Sequence, residues 1–125
     1  GEEVENAMMR TIEKFPEVRI VEFTVAPQVT PGEGLPHHEW FIEFTNPPEN
    51  VDAFSIELDN SLRKLNVYYD DLIKGNILRK LRIQTMRKDT FIDYMKSQGK
   101  LGGQNKLPRL SNDRSIADEL INFKS

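Results

Sequence analysis

The chain has 125 residues, 38% hydrophobic and 30% charged, which is enough for one domain with a real core and too few for two full-sized ones. With no cysteine and only two histidines, a disulfide framework, a thiol nucleophile, a thiolate metal site and most histidine-based metal centres are excluded, and no metal ligands are expected. No run approaches the roughly 18 apolar residues of a membrane helix, and the Glu-rich start is unlike a secretory signal peptide; a single cytoplasmic domain over residues 1–125 is expected.

Taken in chain order, Val4, Met8, Ile12 and Phe15 stack on one face of a helix that Pro16 ends. Residues 18–29 read as a strand, with Val21, Phe23 and Val25 alternating around Glu22 and Thr24 and with Pro27 near its end. Two prolines and two glycines in residues 30–36 make a turn, and residues 37–44 form a second strand that pairs with the first as a hairpin. Val51, Phe54, Leu58, Leu62 and Leu65 form the buried stripe of a helix over 51–65, leaving Glu57, Asp59, Arg63 and Lys64 to solvent. A short helix follows over 66–75, carrying Tyr68, Tyr69, Leu72 and Ile73 and stopped by Gly75 and Asn76. In a third strand Leu81 and Ile83 oppose Lys80, Arg82 and Gln84, which makes one face basic. Residues 88–98 form a helix with Phe91, Tyr94 and Met95 inward, residues 99–110 are irregular, and a last helix starts near Asn112 or Asp113 as its cap. Trp40 and the tyrosines belong to the core or its edge.

This order predicts an α+β fold: a small three- to four-stranded, mainly antiparallel sheet packed with helices, related to ferredoxin-like domains but lacking their first strand. A sheet short of an edge strand exposes unpaired backbone groups, so an edge-to-edge homodimer is one expectation.

The net charge of −3 conceals a division. Residues 1–60 carry 13 acidic and 3 basic side chains, whereas residues 61–125 carry 14 basic and 7 acidic. Between Lys74 and Arg109 ten cations face only Asp89 and Asp93, a bias that suits phosphate or another anion. A solvated face that offsets the acidic half is the open alternative.

The least ordinary stretch is Ser97-Gln-Gly-Lys-Leu-Gly-Gly-Gln-Asn-Lys-Leu-Pro-Arg109. Glycines let backbone amides approach an anion, and a lysine on such a loop reaches a phosphate as a mobile point charge. The stretch follows a helix and lacks the Gly-Lys-Ser/Thr ending of a phosphate loop, so spacing alone favours an ordinary basic surface loop. His37 and His38 begin a strand, where neighbouring side chains oppose one another and cannot chelate one metal, which makes structural histidines the better reading. Asp70 and Asp71 diverge on their helix and suit solvation more than catalysis.

Most of the chain resembles the carboxy-terminal domain of the auxin-responsive acyl-acid amido synthetases, the Gretchen Hagen three family, in a bacterial-type member. The resemblance is carried by Phe23-Thr-Val-Ala-Pro27, His38-Glu-Trp-Phe-Ile-Glu-Phe44, Leu65-Asn-Val-Tyr-Tyr-Asp70 and above all Ser97–Arg109. In plant members the last stretch ends Gln-Tyr-Lys-Thr-Pro-Arg, so Lys106, Pro108 and Arg109 align, while Asn105 and Leu107 depart from it. The resemblance implies a mobile carboxy-terminal domain of a two-domain, adenylate-forming ligase, inactive alone. An amino-terminal domain would hold ATP, magnesium and the carboxylic acid, and an amino acid would attack the acyl-adenylate to give an amide. It implies Lys106 as the catalytic lysine at the phosphate, and Gly102, Gly103, Gln104, Asn105 and Arg109 as nucleotide- or adenylate-binding residues that shape its loop. From a different class, the basic face over 74–109 would serve a free-standing anion- or nucleic-acid-binding module. Little aromatic interleaving there makes nucleic acid the weaker partner.

Overall fold

The computed structural model describes residues 2–102 and 106–123. Helix α1 (Glu2–Lys14) leads into the hairpin of β1 (Arg19–Gln28) and β2 (His37–Asn46). Helices α2 (Val51–Leu65) and α3 (Val67–Lys74), strand β3 (Arg82–Met86), helix α4 (Thr90–Ser97) and helix α5 (Ser115–Leu120) follow, with a last turn of 3₁₀ helix at Ile121–Phe123.

The expected α+β fold is present, with β2 central in a three-stranded sheet. Its longer pairing, β1 with β2, is antiparallel, whereas β3 joins β2 in parallel through the α2–α3 crossover. The sheet is therefore mixed, because a connection made of two helices returns the chain to the end from which β2 started.

Alternation along β2 feeds two cores. Trp40 and Ile42 join Val4, Met8, Phe54, Leu58 and Leu62 beneath α1 and α2, while Phe41 joins Met86, Phe91, Tyr94, Ala117 and Leu120 beneath α4 and α5. In the first core Phe23 stacks on Trp40 at 5.6 Å, and Phe54 takes Phe15 and Phe44 edge-on at 5.2 and 5.8 Å. Truncating a ring such as Phe54 to alanine typically costs about 3–5 kcal/mol, so this stripe fixes the seat of α2 on the sheet.

Four local expectations are corrected. Val21 lies at a bulge in the β1–β2 register and is 55% exposed, so the buried alternation in β1 begins only at Phe23. Asp59 is buried rather than solvated, because it accepts hydrogen bonds from the Tyr69 hydroxyl (2.5 Å) and the Leu81 backbone N–H (3.3 Å). Tyr68, one residue from buried Tyr69, points outward and is 73% exposed. Helix α5 starts at Ser115, and Asp113 sits two residues ahead, accepting from both the backbone N–H (3.0 Å) and the hydroxyl (2.8 Å) of Ser115.

Candidate functional site

The glycine- and lysine-rich stretch starts where α4 stops. Gly99 adopts φ +67°, its N–H donates to the Lys96 carbonyl (3.0 Å) and the Lys100 N–H donates to the Met95 carbonyl (2.9 Å). That pair of bonds is a Schellman ending, which turns the chain sharply away from the helix axis. Gly102 lies further along at φ +80°. Gly103, Gln104 and Asn105, three of the residues implied by the resemblance, lie outside the described residues.

At its other end the stretch is stitched to the outer edge of β1. The Thr24 hydroxyl donates to the Pro108 carbonyl (2.6 Å), the Val25 N–H to the Arg109 carbonyl (2.9 Å), and the Ser111 N–H to the Val25 carbonyl (2.9 Å). Leu110 thereby forms an isolated parallel bridge with Val25 on that edge. Leu107 packs against the second core.

Lys106 stands between these two anchors, exposed and without an ion pair among the described residues. It lines two adjoining grooves. One, of about 440 Å³, is walled by Phe91, Met95, Leu101, Gly102 and Leu107, with Glu5, Glu22 and Arg109 at its side. The other, of about 330 Å³, runs between α4 and α5 past Tyr94, Gln98, Lys100, Ser115 and Glu119. Burial and the neighbouring Glu119 carboxylate push the Tyr94 hydroxyl above its ordinary pKa, so it stays a neutral donor.

Arg109 is engaged inward. Its guanidinium bonds the carboxylates of Glu22 and Glu5 (the latter at 3.0 Å) and the Phe23 carbonyl (2.9 Å), and it lies over the Phe23 ring at 4.2 Å. Nothing in the spacing of Glu5 and Glu22 announces this clamp, since their partner lies 104 and 87 residues away in sequence.

Of the other eight cations of the basic segment, four are occupied. Arg79 donates to the Leu35 (3.1 Å) and Glu33 (3.2 Å) carbonyls and so holds the hairpin turn. Lys80 bonds Ser55 (3.0 Å) and Asp52 (3.4 Å) in a separate groove of about 440 Å³, which Arg82 also lines. Lys74 pairs with Asp70 at 2.9 Å and Arg87 with Asp93 at 3.5 Å. Asp70 also takes Arg63 at 2.5 Å, and these two cations hold its carboxyl below the usual range.

Both histidines are packed against neighbouring side chains. His37 is buried and its Nδ1 accepts from Arg79 at 3.3 Å, while His38 stacks on Tyr69 at 5.2 Å with its Nδ1 buried and unpartnered. Burial holds both imidazoles below their ordinary pKa. No group of three or more metal-ligating side chains gathers among the described residues.

Residues 2–115 match the model of the GH3 family C-terminal domain. The chain belongs to the GH3 family. Solved GH3 structures share the fold of this domain. "GH3.15 acyl acid amido synthetase" superimposes with a TM-score of 0.77 at 14% identity, covering 98% of this chain and 24% of that one. "AtGH3.15 acyl acid amido synthetase in complex with 2,4-DB" gives 0.71 at 16% identity, covering 99% of this chain and 23% of that one. The chain thus spans about a quarter of the length of these structures. No curated protein sequence matches it significantly. Among the described residues no helix is long and apolar enough to cross a membrane.

Proposed function

We propose that this GH3 C-terminal domain is the mobile lid of an ATP-dependent acyl-acid amido synthetase, in which a carboxylic acid is adenylated and then joined to an amino acid. The observation that carries the proposal is Lys106: a free ammonium held between two anchored loop ends, at the lip of a groove with an apolar floor. ATP, when bound, supplies the activating group for the carboxylate. The residues here fit one part of that task, presenting to a phosphate an exposed cation, Lys106, that has no ion pair among the described residues. They do not fit a whole nucleotide site, since Arg109 is already neutralised by two carboxylates and no group of three or more metal-ligating side chains gathers among the described residues. ATP, magnesium and the acid therefore belong to an amino-terminal adenylation domain of the parent protein.

In this reading Lys106 donates to phosphate oxygens as charge builds on them during pyrophosphate departure. A donor delivered only when the lid closes stabilises the transition state more than the bound substrate, and closure also excludes water. Gly102 lets the loop turn toward the substrate, and Arg109 shapes the loop's far end. The 125-residue chain alone is inactive, because it supplies no site for the whole nucleotide or for the acid.

Acid-dependent ATP–pyrophosphate exchange by the full-length parent, measured across a panel of carboxylic acids beside Lys106→Ala, tests the proposal. Exchange in the parent that falls roughly a hundredfold in the variant is the expected result. Exchange that survives the substitution removes Lys106 from adenylation. Exchange catalysed by the 125-residue chain itself overturns the lid assignment.

A further inference from the structure

Resting on the amido synthetase reading, we propose that Glu22 is a positioning residue for Lys106 and acts through Arg109. Glu22 directly follows the bulge at Val21, and bulges commonly re-aim a side chain next to a functional site. Its Oε1 accepts from the backbone N–H of Phe23 at 3.0 Å and from the Arg109 guanidinium, so the carboxylate is tied to β1 on one side and to the loop on the other. Arg109 is further fixed by the Phe23 carbonyl (2.9 Å) and the Phe23 ring (4.2 Å). Glu5 adds a more exposed contact from α1, its side chain 54% accessible against 30% for Glu22.

Only Leu107 and Pro108 separate Lys106 from this clamp. Leu107 is packed against the second core, and the proline ring fixes one backbone torsion of the intervening chain. A shift of Arg109 is therefore transmitted to Lys106 with little slack. The clamp also acts electrostatically: by neutralising Arg109 it leaves Lys106 as the uncompensated cation among the described residues lining the larger groove. Misplacing a catalytic group by about 1 Å is enough to cost a large factor in rate.

The test is a double-mutant cycle on acid-dependent ATP–pyrophosphate exchange in the full-length parent, comparing parent, Glu22→Ala, Lys106→Ala and the double variant. Glu22→Ala is expected to lower kcat about tenfold, with KM for ATP and acid within about twofold, and to add nothing in the Lys106→Ala background. Glu22→Gln keeps an acceptor for Arg109 and should recover most of the rate. Parental kcat in Glu22→Ala overturns the inference, as does an equal loss in both backgrounds, which is what general structural damage produces. No exchange in the parent, or a full rate in Lys106→Ala, overturns the underlying reading together with this one. Those two results come from proteins with Glu22 intact, so the two failures are distinguishable.

Discussion

Glu39 and Glu43 alternate with Trp40 and Ile42 along β2, and in a sheet with one wet face they would be solvated. Here α4 and α5 cover that face, and both carboxylates are buried with specific donors. Glu39 accepts from Arg114 (2.6 Å) and Gln84 (2.7 Å), and Glu43 from the backbone N–H groups of Asp89 (2.8 Å) and Phe91 (3.1 Å). Glu43 thus caps α4 from another element, in place of the N-cap residue Asp89, whose own side chain makes no capping bond. Glu43→Ala should destabilise the chain by about 2–3 kcal/mol in urea unfolding, since two amides at the helix start lose their acceptor. A loss no larger than that of an exposed site such as Glu49→Ala would deny the capping role. The histidines give a pH signature. Their folded pKa lies below the unfolded value of 6.5, so their contribution is fully present above that value and is lost as pH falls from there toward the depressed folded value. Stability should therefore fall as the pH is lowered through about 6.5, and the His37→Gln/His38→Gln double variant should flatten that slope. The partners at this scale were illegible in the sequence because each joins residues from different elements. Asp59 reads as surface on its own helix and becomes core only once Tyr69 and Leu81 are set beside it.

Helices are where sequence periodicity and structure agree best. The stripe of α2 and its ends emerge together, because Asn50 accepts from the Ala53 N–H (3.0 Å) and Asn66 both ends α2 and caps α3 through the Tyr69 N–H (3.0 Å). The parallel direction of β3 could not be read from its alternation, since direction is set by the length of the crossover and not by the strand's own residues. The clearest test of an element boundary is Gly99, which stops α4 with a left-handed residue. Gly99→Ala should cost about 1–2 kcal/mol, because a Cβ disfavours that conformation. Open space around its Cβ position means that strain alone is responsible, so a fully neutral substitution in thermal unfolding would show that the ending relaxes freely. In the full-length parent the same change should slow pyrophosphate exchange, because the chain leaves α4 toward Lys106 through this turn.

At the scale of the molecule, the opposed charge of the two halves of the sequence is partly offset by ion pairs between elements. Glu5 and Glu22 from the acidic half meet Arg109, Asp52 meets Lys80, and Glu39 meets Arg114. The cations of the basic segment without an ion pair among the described residues include Arg82 beside one groove, Lys100 and Lys106 beside another, and Lys88 and Lys96. Exposed pairs contribute little to stability, but they matter for recognition, since a phosphate backbone needs several aligned cations to release its counterions. Ion pairs at Lys74, Lys80, Arg87 and Arg109 thin the basic face on which a free-standing nucleic-acid module depends, whereas a lid needs only one well-placed ammonium. The isolated chain should bind a short DNA duplex more weakly than about 100 µM at physiological salt in a fluorescence-anisotropy titration. Micromolar binding with a steep salt dependence, weakened by Arg82→Ala and Lys100→Ala together, would restore the binding-module reading. Weak binding that Lys106→Ala leaves unchanged agrees with a loop whose cation acts on a phosphate only after another domain has placed it within reach.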